Sequence, residues 1–174
     1  MAIVNSSVIG VNLQGNSDGA TALFGLGQHV LGSNNSEWIY VNAAAAMTTG
    51  QLLCVNVSYT ANLATATLVS GSSAATFPQR LAFSQGVFAA NDYGWVAIRG
   101  DALNVNLSSS STMGLPLYLS VVQSGTLTTV TGSVTLAGIL YTSVSATAIA
   151  NPATIGVVTW PRVVALGGGP GTLG

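Results

Sequence analysis

Leu103-Asn104-Val105-Asn106-Leu107 alternates apolar and amide side chains, one after the other. A period of two places the three aliphatic groups on one face of a pleated strand and both amides on the other. The same alternation recurs on either side. Leu53, Val55, Val57 and Tyr59 alternate with Cys54, Asn56 and Ser58, and Leu115, Leu117, Leu119 and Val121 with Pro116, Tyr118 and Ser120. Further strand candidates are Ala22–Val30, Trp38–Val41, Leu63–Val69, Leu81–Phe88, Tyr93–Arg99, Leu127–Thr131, Val134–Tyr141 and Ile155–Val164. Turn clusters separate them, among them Gly32-Ser33-Asn34-Asn35, Thr49-Gly50, Asn91-Asp92, Ser124-Gly125 and Asn151-Pro152. Helical signals are weak: Ala43–Met47 suits a single turn, and Thr126–Thr147 is dense in β-branched residues that favour pleated surfaces. The pattern predicts an all-β chain with little helix, a single-domain antiparallel β-sandwich or barrel-like fold.

The 174 residues fit one domain with enough chain to bury a core. The predicted organisation is an N-terminal strand or arm over residues 1–19, a β domain over 20–166 and a Gly-rich tail over 167–174. Two readings of Met1–Gly19 stand side by side: an extended arm that pairs with a neighbour's sheet edge through Ile3, Val4, Val8 and Ile9, or a frayed terminus.

Charge is the unusual feature. Only 4% of the residues are charged, with four acids, three arginines and no lysine. An ordinary domain carries about a quarter. A net charge of −1 offers no basic face for nucleic acid. Despite a mean hydropathy of +0.58, Ser, Thr, Asn and Gly break every apolar run short of the roughly 20 residues of a spanning helix, so no membrane partner is expected. No basic residue precedes Arg80, which argues against a secretory signal and for synthesis in a cytoplasm. A chain so poor in charge suits standing against copies of itself, where repeated like charges would repel.

Chemistry-bearing groups are sparse. His29 is the single histidine, and no Gly-x-Ser-x-Gly accompanies it. Asp18, Glu37, Asp92 and Asp101 sit beside turn residues with no spacing that pairs them for acid–base work. Cys54, in Leu52-Leu53-Cys54-Val55, reads as a small buried apolar residue, and one Cys with one His makes no metal cluster. No cofactor or metal is expected, and the chain reads as a non-enzyme. Arg80, Arg99 and Arg162 are assigned to ion pairs within or between subunits. Trp38, Trp95 and Trp160 suit either core packing or a sugar-stacking platform.

At Asn91-Asp92-Tyr93-Gly94-Trp95-Val96, followed by Gly100, the chain resembles the YGWV…G segment of tailed-bacteriophage capsid decoration proteins, also called head cement proteins. Phe24-Gly25-Leu26-Gly27, Trp38–Ala43, Ala137-Gly138-Ile139 and Asn151–Val158 through Trp160-Pro161 are similar to further segments of that family, in the same order, over residues 22–162. In the residues themselves, Gly94 offers a tight entry into a strand, Tyr93 and Trp95 share one face, Val96 and Ile98 take the other, and Gly100 ends the strand. The resemblance implies a trimer on the outer face of an icosahedral head, clamping neighbouring major capsid proteins. Its implied location is the virion surface. The alternative function is a phage head fibre or tip module that binds host glycans.

Overall fold

Tyr93–Asn106 is one continuous strand of fourteen residues, and the rest of the fold is arranged on its two halves. The computed structural model describes residues 13, 17–70, 80–108, 115, 117–129, 134–141 and 153–166. In chain order the strands are β1 (His29–Leu31), β2 (Glu37–Ala43), β3 (Leu52–Val55), β4 (Thr60–Leu63), β5 (Arg80–Ser84), β6 (Tyr93–Asn106), β7 (Leu117–Leu119), β8 (Leu127–Thr128), β9 (Val134–Tyr141) and β10 (Ala153–Leu166). One short helix, α1 (Ala66–Ser70), follows β4. The all-β expectation holds, with one correction: β2 and β4 pair in parallel, so the sheet is mixed.

The first half of β6 pairs with β2 from Tyr93↔Asn42 to Arg99↔Glu37, and with β5 at Ala97↔Phe83 and Val96↔Ser84. Since β2 also pairs with β4, β4 with β3 and β3 with β5, the strands β2-β4-β3-β5-β6 close into a five-stranded ring. The second half of β6 leaves the ring to pair with β10, which carries β9, β7 and β8 beyond it.

Gly100 therefore does not end the strand; it bends it. Its φ is +152°, and Ala102 follows at φ 61°. Across the bend β10 pairs Val158 with Gly100 but Gly156 with Leu103, so β6 carries one residue more than its partner. An added residue kinks and twists a strand, and here it redirects β6 from the ring to the outer sheet. Glycine is required at the bend, since a Cβ there would lie 2.7 Å from the Cβ of Ser36.

Alternation along the ring strands feeds two cores. Ile39 and Val41 of β2, Leu53 and Val55 of β3, Ala61 of β4, Ala82 of β5 and Val96 and Ile98 of β6 form one buried cluster inside the ring, with Met47 and Phe88. The other faces of the same strands present Trp38, Tyr40, Leu52, Cys54, Phe83, Trp95 and Ala97, which join Leu103 and Val105 of β6, the leucines of β7 and β8 and Leu136 of β9 in a second cluster. A small ring admits only a small filling, hence alanines at three inward positions. Leu13 is buried in the second cluster.

Other boundaries shift. The run Leu53–Tyr59 is not one strand: it breaks at Val55, where the Asn56 side chain accepts hydrogen bonds from the Ser58 and Thr60 N–H groups and Tyr59 takes φ 59°. Of Leu63–Val69 only Leu63 is in a strand, and α1 begins at Ala66; Ala43–Met47 makes no helical turn, and of Ala22–Val30 only His29 and Val30 are in a strand, β1. The face shared by Leu117 and Leu119 is buried, but β7 stops at Leu119, and Leu115 and Val121 are exposed.

Candidate functional site

Four polar side chains, far apart in sequence, meet beside the edge strand β1. His29 Nδ1 lies 3.0 Å from Glu37 Oε1, and Arg99 Nε donates to Glu37 Oε2 at 3.0 Å. Arg80 Nη1 lies 2.9 Å from His29 Nε2. A guanidinium has only donors, so Nε2 accepts and Nδ1 carries the hydrogen given to Glu37. The register places each group: Glu37 opens β2 opposite Arg99, His29 opens β1, and Arg80 opens β5. The expected pairing of arginines with acids thus holds for Arg99, while Arg80 meets the histidine. Such surface and half-buried pairs contribute on the order of 1 kcal/mol or less each and act mainly on register. The second ring nitrogen of His29 faces an arginine rather than a hydroxyl, so this His–Glu pair is not arranged to activate a nucleophile.

Two of the remaining acids fasten the incoming chain. Tyr40 hydroxyl donates to Asp18 Oδ2 at 2.7 Å and accepts from the Leu23 N–H at 3.1 Å. Burial, with Asp18 adding to it, raises the Tyr40 phenol to about 12. The Ser17 hydroxyl and the Ala89 N–H both donate to the Asp92 carboxylate and hold it below its ordinary value. Backbone bonds from Asp18 N to Tyr93 O and from Tyr93 N to Gly19 O complete the seam. Residues 17–19 thus lie against the start of β6 in their own chain.

The Tyr93-Gly94-Trp95 segment stands at this seam. Tyr40 packs against Tyr93 at 6.5 Å and against Trp95 at 5.1 Å between ring centroids, and Phe24 completes the group at 5.3 Å from Tyr40 and 5.4 Å from Trp95. Tyr93 and Trp95 share a face and Val96 and Ile98 take the other, as alternation requires. The role expected of Gly94 needs correction. Its φ is not positive; glycine is needed because a Cβ would lie 2.6 Å from the Phe88 ring. Trp38 and Trp95 are buried, which leaves neither with a face for sugar stacking.

Cys54 is buried in the second core, and burial raises its thiol to about 12. No group of three or more His, Cys, Asp or Glu able to hold a metal occurs among the described residues. Arg162 lies on β10 opposite Ala137, and its side chain is outside the described residues. Ile3, Val4, Val8 and Ile9 also fall outside them, as does the side chain of Trp160.

Charge is unevenly spread along the chain. From residue 102 to 161 the chain carries no charged residue, so β7, β8 and β9 are free of charge and β10 holds only Arg162. The charges gather at the ring. Spacing between successive charged residues, rather than their total, is the signal for this.

No family model matches the chain, and neither a curated protein nor a solved structure matches it.

Proposed function

We propose that the chain is a capsid decoration subunit: a non-enzymatic virion protein that binds the outer surface of an icosahedral phage head as a homotrimer and stabilises contacts between major capsid proteins. The observation that carries this reading is the placement of charge. Glu37 and Arg99 engage each other, Asp18 and Asp92 fasten the chain's own N-terminal segment, and the sheet beyond β6 is almost uncharged. A surface of this kind suits fixed contact in an array, repeated over many copies. The order of the Tyr93-Gly94-Trp95 segment and its companions supports the same reading.

An arm running from Ile3 to Ile9 is assigned to a capsid neighbour or adjacent protomer. It would depart before Leu13, because Leu13 is buried and Ser17–Gly19 are seated on β6. Light scattering on the purified protein, followed by imaging of heads mixed with it, tests the proposal. A trimer that decorates heads, with attachment nearly independent of salt, is expected. A strict monomer without affinity for heads would overturn it. Removing residues 1–12, which spares Leu13, tests the arm; unchanged trimerisation and attachment would rule it out.

A further inference from the structure

The turn between β7 and β8 presents Val121 and Val122, which are 69% and 86% exposed, the highest values among the large apolar side chains described. Single exposed apolar residues are ordinary on a surface. This pair differs in how it is held. The Ser120 hydroxyl accepts from the N–H groups of both Val122 and Gln123 at 3.2 Å. Ser120 N donates to Thr126 O at 2.9 Å, and Thr126 N to Gln123 O at 3.3 Å. The base of the turn is tied to the ring strands, through Gly125 N to Ala64 O at 2.9 Å and Leu52 N to Gly125 O at 2.8 Å. Leu119 and Leu127 anchor it in the core on either side. A turn pinned in this way has little freedom to lose when its tip is covered.

The charge-free tract decides what covers it. Near a rotation axis of a symmetric oligomer each residue meets its own copy, so a charge there opposes itself. Glu37, Arg80, Asp92 and Arg99 stand on or beside the ring strands, whereas the turn lies within residues 102–161, where no charge occurs. We infer that the Ser120–Gly125 turn is a self-association surface, with Val121 and Val122 of one chain packed on the same residues of further copies around an axis. This rests on the assembly half of the proposed function and gives it a location.

The test is light scattering over a concentration series on three full-length proteins: the wild type, the Val121→Asp/Val122→Asp double variant, and Val57→Asp as a control exposed at the ring. The wild type and the control should associate alike. The double variant should keep the circular dichroism and melting temperature of the wild-type subunit while its association weakens on the order of a hundredfold, since carboxylates would face one another at the axis. A fourth protein, the Val121→Ile/Val122→Ile variant, should associate as the wild type does. A double Asp variant that assembles as the wild type does would overturn the inference and leave the decoration reading standing. A monomeric wild type that still binds heads would also overturn it while sparing attachment. A monomer that binds no heads would remove both.

Discussion

Trp38 and Trp95 are both buried, on neighbouring strands of one core, yet their indoles differ in one respect. Trp38 Nε1 donates to Ser36 Oγ at 2.8 Å, whereas Trp95 Nε1 has no hydrogen-bond partner among the described residues. Replacing either by phenylalanine deletes the same atoms, so the transfer and cavity contributions largely cancel when the two variants are compared. What remains is the polar contribution. Trp38→Phe loses a net hydrogen bond of about 1 kcal/mol and leaves Ser36 with one contact fewer. Trp95→Phe removes a desolvated donor and recovers about 1–3 kcal/mol. Trp38→Phe should therefore be the more damaging by roughly 2–4 kcal/mol, which for a chain of this length is roughly 4–16 °C in Tm. Trp95 also packs on Phe24 and Tyr40. Phenylalanine keeps a ring at that position, so only part of the two pair energies, about 0.5–1.5 kcal/mol each, is lost and the order is unchanged. Urea unfolding followed by far-ultraviolet circular dichroism measures both variants, with equal slopes as the check that denatured states match. Trp95→Phe costing as much as Trp38→Phe would refute the reasoning.

Gly94→Ala drives a methyl into the Phe88 ring and should cost about 1–3 kcal/mol; a Gly94→Ala/Phe88→Leu double variant that recovers none of the loss in urea would place the strain elsewhere. Cys54, with its thiol raised to about 12 by burial, should resist a thiol reagent at neutral pH until denaturant unfolds the chain; rapid labelling of the native protein contradicts the buried assignment. Asp92 is held below its ordinary value of 3.8, first by the Ser17 hydroxyl and then by the Ala89 N–H. A carboxyl depressed in the folded state stabilises above 3.8, and that contribution fades as pH falls through the lower folded value. Asp92→Asn should therefore be less stable than the wild type at neutral pH, with the gap closing in acid; a gap that widens in acid would reverse the sign.

Faces were legible in the sequence because a period of two is a local signal. Trp38 to Val41 and Trp95 to Ile98 could be sorted onto two faces without knowing their partners. Both faces proved buried, because one lines a ring and the other lies under a second sheet. Closure was not legible. It depends on β2 pairing in parallel with β4 and also with β6, and neither pairing leaves a mark on residues near in sequence. Alternation also misled where it ran on past a strand end. Val57 keeps the phase of Leu53 and Val55 but is exposed on a turn that Asn56 organises, so the turn chemistry of one amide outweighed the period. Helix α1 has five residues, too few for a 3.6-residue period to register. Of the site, the turn roles of Asp18 and Asp92 could be read from their neighbours. The chain from Arg80 through His29 and Glu37 to Arg99 could not, because its contacts join β1, β2, β5 and β6.

The scarcity of charge and the shape of β6 bear on one another. Gly100 and the bulge after it divide the strand into a half that closes the ring and a half that carries the outer sheet. Five of the seven charged residues fall on the first side of that bend, where carboxylates and guanidinia hold chain segments together that pleated pairing alone does not fix: the approach of residues 17–19, the edge strand β1, and the start of β5. Beyond the bend, β7 and β9 are aligned by backbone ladders and buried leucines, which need no charge to set register. Charge is thus sparse on both sides of the bend and sparsest beyond it, where Arg162 alone follows Asp101. A protein under pressure only to avoid repulsion between copies would be expected to thin its charges evenly over the surface. Their bias toward one side of the bend is what the proposed neutral contact would leave in the sequence, and the exposed valines of the β7–β8 turn lie within the charge-free tract.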